Sequence, residues 1–196
     1  VVRAPAVDVA LVVLGWLALL AVFAFHRWER GTPAETRRDP AYLIGLLLQS
    51  AAFALVFRVN RDAFPFNPFR TAVIVVLELA SLGLLIAALR ALGRQWAVAA
   101  RLVEGHELVR SGPYAFLRHP IYTAMFGLML ATGTAWADWQ VLGVAVVLYA
   151  LGTRFRIRAE ERLLRRQFGA AYDDYARRVP AFIPGLMRGT VSSRKR

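Results

Sequence analysis

Five stretches of this sequence run for 17 residues or more with almost no charge: 7–25, 41–57, 71–89, 121–137 and 139–155. Crossing a hydrocarbon core takes about 20 mostly apolar residues, about 17 at the least. Inside lipid each backbone N–H and C=O needs an internal partner, so runs of this length cross as helices. The expected fold class is therefore all-α, a polytopic membrane protein of about five transmembrane helices. The 58% hydrophobic content agrees, against roughly 45–50% in soluble domains. The first run is too long and too rich in Trp and Phe for a secretory signal and lacks a small-residue cleavage site, so it is read as a span. Runs four and five meet around Ala137-Asp138, which predicts a tight antiparallel hairpin.

The net charge of +12 would favour nucleic acid in a soluble chain, but here the basic residues crowd between apolar runs, and no nucleic acid partner is expected. Segments 26–40, 90–120 and 154 onward hold four, five and twelve of the 25 Lys and Arg, and the opposite side holds four. This imbalance predicts a cytoplasmic C-terminus, with Trp136 and Trp139 in the aromatic belt of the far interface. Lys195 is the sole lysine, the usage of a GC-rich genome, and the expected location is a bacterial plasma membrane. Cysteine is absent, which excludes disulfides, thiol nucleophiles and thiolate metal sites. His26, His106 and His119 lie in separate segments without ligand spacing, so no metal is expected. Three regions follow: 1–90 with spans one to three, 91–185 with the remaining spans and a C-terminal helical cap, and a basic tail, 186–196, suited to anionic lipid.

Polar chemistry gathers in two motifs. In "GPYAFLRHPIYTAMF", residues 112–126, Pro120 suits the first turn of a helix, which puts His119 at the N-cap and Tyr122 on nearly the same face. Amphipathic residues also collect at membrane interfaces without further purpose, so snorkelling is the plain alternative. The second motif, "RFRIRAEERLLRRQFGAAYDDYARRVPAFIPGL", residues 154–186, continues span five as a helix. Arg156 and Glu160 stand at i and i+4, while Arg154, Arg158 and Glu161 share another face. Gly169 marks a break, and Pro180 and Pro184 bound a segment able to fold back as a lid. A basic helix could simply hold the inner leaflet, but two adjacent carboxylates weaken that attraction. Within the spans, Glu78 is expected to be protonated or bonded to Gln49 or Ser81.

"GHELVRSGPYAFLRHPIY" followed by "AEERLLRRQFGAAYDDYARRVPAFIP" resembles the signature of the isoprenylcysteine carboxyl methyltransferase family of membrane enzymes, related to the phospholipid N-methyltransferases. The resemblance covers roughly residues 93–185. It implies S-adenosylmethionine as methyl donor, held between the hairpin and the C-terminal helix, and a lipophilic or lipidated acceptor arriving through the bilayer. It further implies cofactor contacts at His106, Glu107, Leu108, Val109, Tyr114, His119, Pro120, Ile121, Tyr122 and Glu160, with Arg156 on the substrate. The chemistry is consistent: a sulfonium cation favours a carboxylate and electron-rich rings, and an arginine suits a carboxylate acceptor.

Two other classes are weighed against this. Membrane sterol reductases share a similar Arg-His-Pro region and use NADPH, but they tend to carry Tyr-Gly followed by Trp where this chain has Phe168-Gly169 followed by Tyr172 and Tyr175. A non-catalytic scaffold binding anionic lipid would be indifferent to Glu160.

Overall fold

The computed structural model describes residues 6–28, 40–58, 66–93 and 108–182. The regular elements among the described residues are all helical: α1 (Ala6–Trp28), α2 (Pro40–Phe57), α3 (Pro68–Leu92), a 3-10 turn (Gly112–Ala115), α4 (Pro120–Trp136), α5 (Trp139–Phe168) and α6 (Ala170–Arg178). The expected basic tail lies outside the described residues, as do His106, Glu107 and Pro184.

The apolar runs become helices with recognisable ends. Asn67 caps α3 by accepting hydrogen bonds from the N–H groups of Phe69 (3.0 Å) and Arg70 (3.2 Å), with Pro68 in the first turn. Pro120 opens α4 directly after His119, as the sequence predicts. α5 closes on Gly169, whose φ of +51° is a conformation that glycine adopts without penalty.

Helices α1, α2, α3 and α5 are each long and apolar enough to cross a membrane. Five such spans are expected from sequence; the fourth, α4, has only 17 residues and sits at the lower limit. Leu128, Met129, Ala131 and Ala135 of α4 are buried. At 30 residues α5 is about 45 Å long, against about 30 Å of hydrocarbon, so its last turns stand clear of the apolar layer. This overhang builds the site.

Helix pairing brings distant sequence together. α2 packs along α5, α3 along α4, and α1 against α3 and α4. The α2–α5 crossing is close because two glycines meet: a Cβ on Gly152 would lie 2.6 Å from the Gly45 carbonyl oxygen, and one on Gly45 2.6 Å from that of Gly152. Polar groups in the bundle are paired across helices. Trp16 donates to Thr132 (3.0 Å), Trp136 to the Val56 carbonyl (2.6 Å) and Tyr149 to the Tyr122 carbonyl (2.8 Å). Asp8, fully buried, accepts from Arg70 (2.9 and 3.2 Å) and Thr71 (2.6 Å), clasping α1 to the start of α3.

Of the anticipated partners of Glu78, Gln49 is engaged elsewhere. Gln49 donates to Thr153 and accepts from Arg156, both on α5. Ser81 abuts Gly127 of α4, and Glu78 lies against Gly15 of α1. α2 faces α5, so Gln49 and Glu78 serve different interfaces.

Candidate active site

The site lies where α4 begins and α5 overhangs. The chain enters through the 3-10 turn, which buries Tyr114 and whose Tyr114 carbonyl accepts the Tyr175 hydroxyl at 2.6 Å. Residues 180–182 fold back over α4. The Arg118 and His119 N–H groups donate to the carbonyls of Pro180 (2.9 Å) and Ala181 (3.0 Å), and Thr123 donates to that of Phe182 (2.6 Å). Phe182 is buried beside Phe126 and Tyr149. The described part of the expected lid is thus a strap, fastened by backbone hydrogen bonds.

His119 bridges the paired carboxylates of α5. Its Nδ1 is 3.3 Å from Glu160 and its Nε2 3.6 Å from Glu161. Burial pushes the imidazole pKa down, but the hydrogen bonds and charges of Glu160 and Glu161 outweigh it, and the net direction is up. The ring stacks on Tyr122, with centroids 5.8 Å apart, and Tyr122 donates its hydroxyl to Glu160. Glu161 also meets Arg118 (3.0 Å) and Arg165 (3.1 Å). The neighbours differ in access: the Glu160 side chain is 23% exposed and that of Glu161 8%. Glu161 is the internal tie and Glu160 the carboxylate open to a ligand. The sequence groups Glu161 with Arg154 and Arg158; instead those arginines face outward and Glu161 turns in toward Arg118 and His119.

One turn before Glu160, Arg156 is buried beside two rings, its guanidinium carbon 4.6 Å from the Tyr42 centroid and 4.7 Å from that of Tyr122. It donates to Gln49 Oε1 and to the Tyr42 hydroxyl, each at 2.7 Å. Among the described residues its Nε has no partner.

Beside Tyr114 lies a cavity of about 70 Å³ lined by Leu92, Leu108, Val109, Tyr114, Arg118, Leu164, Tyr172 and Tyr175. Burial raises the pKa of Tyr114 and Tyr172, and that of Tyr175 to about 12, so all three stay neutral hydroxyls at physiological pH. The buried Tyr172 hydroxyl has no partner among the described residues.

Residues 71–166, which contain most of α3, all of α4 and most of α5, match the model of the isoprenylcysteine carboxyl methyltransferase family. The matched segment makes up just under half of the chain. The nickel-cobalt-cadmium resistance protein NccN of Alcaligenes xylosoxydans xylosoxydans is 36% identical over 111 residues, 55% of this chain and 51% of that protein. The protein-S-isoprenylcysteine O-methyltransferase of Schizosaccharomyces pombe is 35% identical over 88 residues, 44% of this chain and 37% of that enzyme. The chain thus matches about half the length of such relatives, or less. A solved eukaryotic intramembrane Ras methyltransferase shares the fold, with a TM-score of 0.55 at 23% identity over 79% of this chain and 55% of that one.

The methyltransferase-family motifs converge here in three dimensions. Leu108, Val109 and Tyr114 line the cavity, while His119, Tyr122 and Glu160 form the adjoining polar wall. Pro120 is buried at the helix start. Ile121 packs in the cluster of Leu19, Leu85 and Leu89, which gives it a core position outside the polar wall. Sequence reading missed Arg118, Glu161, Tyr42 and Gln49 as site residues. Arg118 adjoins the His-Pro pair and Glu161 adjoins Glu160, so a local signal existed for those two; α2 offered none.

Proposed function

We propose that this protein is an integral membrane methyltransferase that moves a methyl group from S-adenosylmethionine to a lipid-like acceptor bearing a carboxylate. The observation that carries the reading is the pair of opposite charges one turn apart on α5: Glu160, partly open and flanked by Tyr122 and His119, and Arg156, buried and hydrogen-bonded by neutral groups.

The donor is a sulfonium cation and supplies an electrophilic methyl group. The residues fit it: Glu160 offers an accessible carboxylate, Tyr114 and Tyr122 offer electron-rich rings, and Tyr172 lines the cavity. Leu108, Val109, Tyr114, His119, Tyr122 and Glu160 would hold it, with His106 and Glu107 from the adjoining segment. Arg156 would fix the acceptor carboxylate by charge-assisted hydrogen bonds, which orients the attacking oxygen. A carboxylate is already deprotonated, so no general base is required. Attack by an anion on a cation disperses charge, and the buried setting of Arg156 suits that change.

The name of the yeast relative supports a prenylated cysteine or a similar lipidated carboxylate as acceptor, delivered laterally through the bilayer. Residues 91–185 are the cofactor-binding region in this reading. The imbalance of Lys and Arg between the two sides supports a site facing the cytoplasm, and the single lysine, the usage of a GC-rich genome, supports a bacterial plasma membrane.

The test is thermal titration of the detergent-purified protein with S-adenosylhomocysteine and, separately, NADPH. S-adenosylhomocysteine should raise the melting temperature and NADPH should not. Loss of the Glu160 charge should weaken binding of the sulfonium donor by about tenfold or more in Glu160→Gln. A response to NADPH alone would replace this reading with a reductase.

A further inference from the structure

Both hydrogen bonds that hold Arg156 come from α2, which lies outside the segment matched to the family. Tyr42 and Gln49 are buried, and the Gln49 amide is fixed at its other end by donating to Thr153 at 2.8 Å. The approach depends on the glycine crossing: a Cβ on Gly45 would meet Arg156 Cγ at 2.6 Å. α2 is therefore shaped to receive this arginine.

The partners it offers are neutral. A buried cation is normally paired with a carboxylate, because desolvation penalises an uncompensated charge. Here an amide oxygen, a phenol and two ring faces orient the guanidinium without cancelling its charge; among the described residues no carboxylate lies within 4.0 Å of it, and Glu160, one turn on, acts on it only from beyond that distance. Nε is buried and has no hydrogen-bond partner among the described residues. If stability alone were served, a glutamate at position 49 would compensate the charge from the same place.

We propose that Tyr42 and Gln49 are positioning residues that keep Arg156 oriented and unneutralised, so that α2 selects an anionic acceptor over its uncharged ester. The inference rests on the methyl-transfer reading and extends it. Methylation converts the acceptor carboxylate to a neutral ester, so the same device separates substrate from product. Arg156 meets the acceptor, and Tyr42 and Gln49 act through it.

The probes are N-acetyl-S-farnesylcysteine and its methyl ester, with binding measured by titration in detergent micelles alongside S-adenosylhomocysteine. The wild-type protein should bind the acid at least about tenfold tighter than the ester, the yield of one charge-assisted contact. Gln49→Glu is the decisive variant. It supplies Arg156 with a counter-ion and preserves the fold, yet it should reduce the acid preference to within about twofold while S-adenosylhomocysteine binding is retained. Gln49→Leu and Tyr42→Phe should each reduce the preference in part.

Undiminished acid preference in Gln49→Glu overturns the proposal. If the variant loses the preference but the wild-type protein transfers no labelled methyl group to the acid, methyl transfer to this acceptor falls and the α2 anion site stands. If transfer occurs with an acid KM unmoved by Gln49→Glu, the reverse holds. Equal binding of acid and ester by the wild-type protein overturns both.

Discussion

Replacing Gly152 with alanine puts a methyl group into the α2–α5 crossing. Its Cβ would lie 2.6 Å from the Gly45 carbonyl oxygen, 2.9 Å from Gln49 Cγ and 3.0 Å from Gln49 N. Two of these atoms are main chain and cannot swing aside. Carbon–oxygen contacts become comfortable near 3.3 Å, so the helices must separate by roughly 0.7 Å. That movement would stretch the 2.7 Å hydrogen bonds of Arg156 toward the limit of useful length. Overpacking costs about 1–3 kcal/mol, and weakening hydrogen bonds to a charged group adds a further ~1–3 kcal/mol. For a chain of this size each kcal/mol moves the melting temperature by roughly 2–4 °C, so a fall of at least about 5 °C is expected. Tryptophan fluorescence of the heated micellar protein measures it. Gly143 on the same helix is the control, since a Cβ there meets nothing within 4 Å. Gly143→Ala should hold or raise the melting temperature, because alanine is the better helix former by about 1 kcal/mol. Indistinguishable melting temperatures for the two variants would refute the close crossing.

Glu161→Gln should cost about 3–5 kcal/mol, because Arg118 and His119 would be left buried beside a neutral amide. Its melting temperature should fall further than that of Glu160→Gln, whose main effect is on affinity for the sulfonium donor; the reverse order would exchange the roles of the two carboxylates. Stability should also fall as pH rises. The His119 pKa is raised in the folded state, so its contribution is complete below about pH 6.5 and is lost as pH climbs through the folded value. Melting curves from pH 5.5 to 8.5 should show the decline in the wild-type protein and a flatter profile in His119→Gln.

Much of this architecture is legible in the sequence because the lipid environment leaves so few choices. Runs of apolar residues must be helices and Pro120 must begin one; the two-residue link predicts a tight hairpin, but α4 packs mainly along α3 and α5 mainly along α2. The site was legible where its residues are near neighbours, as in the run from Tyr114 to Tyr122. Glu160 and Glu161 differ by one position, about 100° around the helix, and only tertiary packing decides which one faces Arg118. Arg156 and its partners Gln49 and Tyr42 are 107 and 114 residues apart. Neither α2 residue carries a local pattern that marks it as part of a site. Gln49 reads as an isolated polar residue in a span, which is why Glu78 stood as its natural partner until helix pairing was known.

The strap has a consequence for biosynthesis. Arg118 and His119 have their backbone partners in Pro180 and Ala181, and Thr123 in Phe182. A ribosome reaches those residues only after α1 to α5 have been made. Helices α1 to α5 can therefore insert and pair while the mouth of α4 is still unfastened, and the site takes its final shape only once residues 180–182 have followed them.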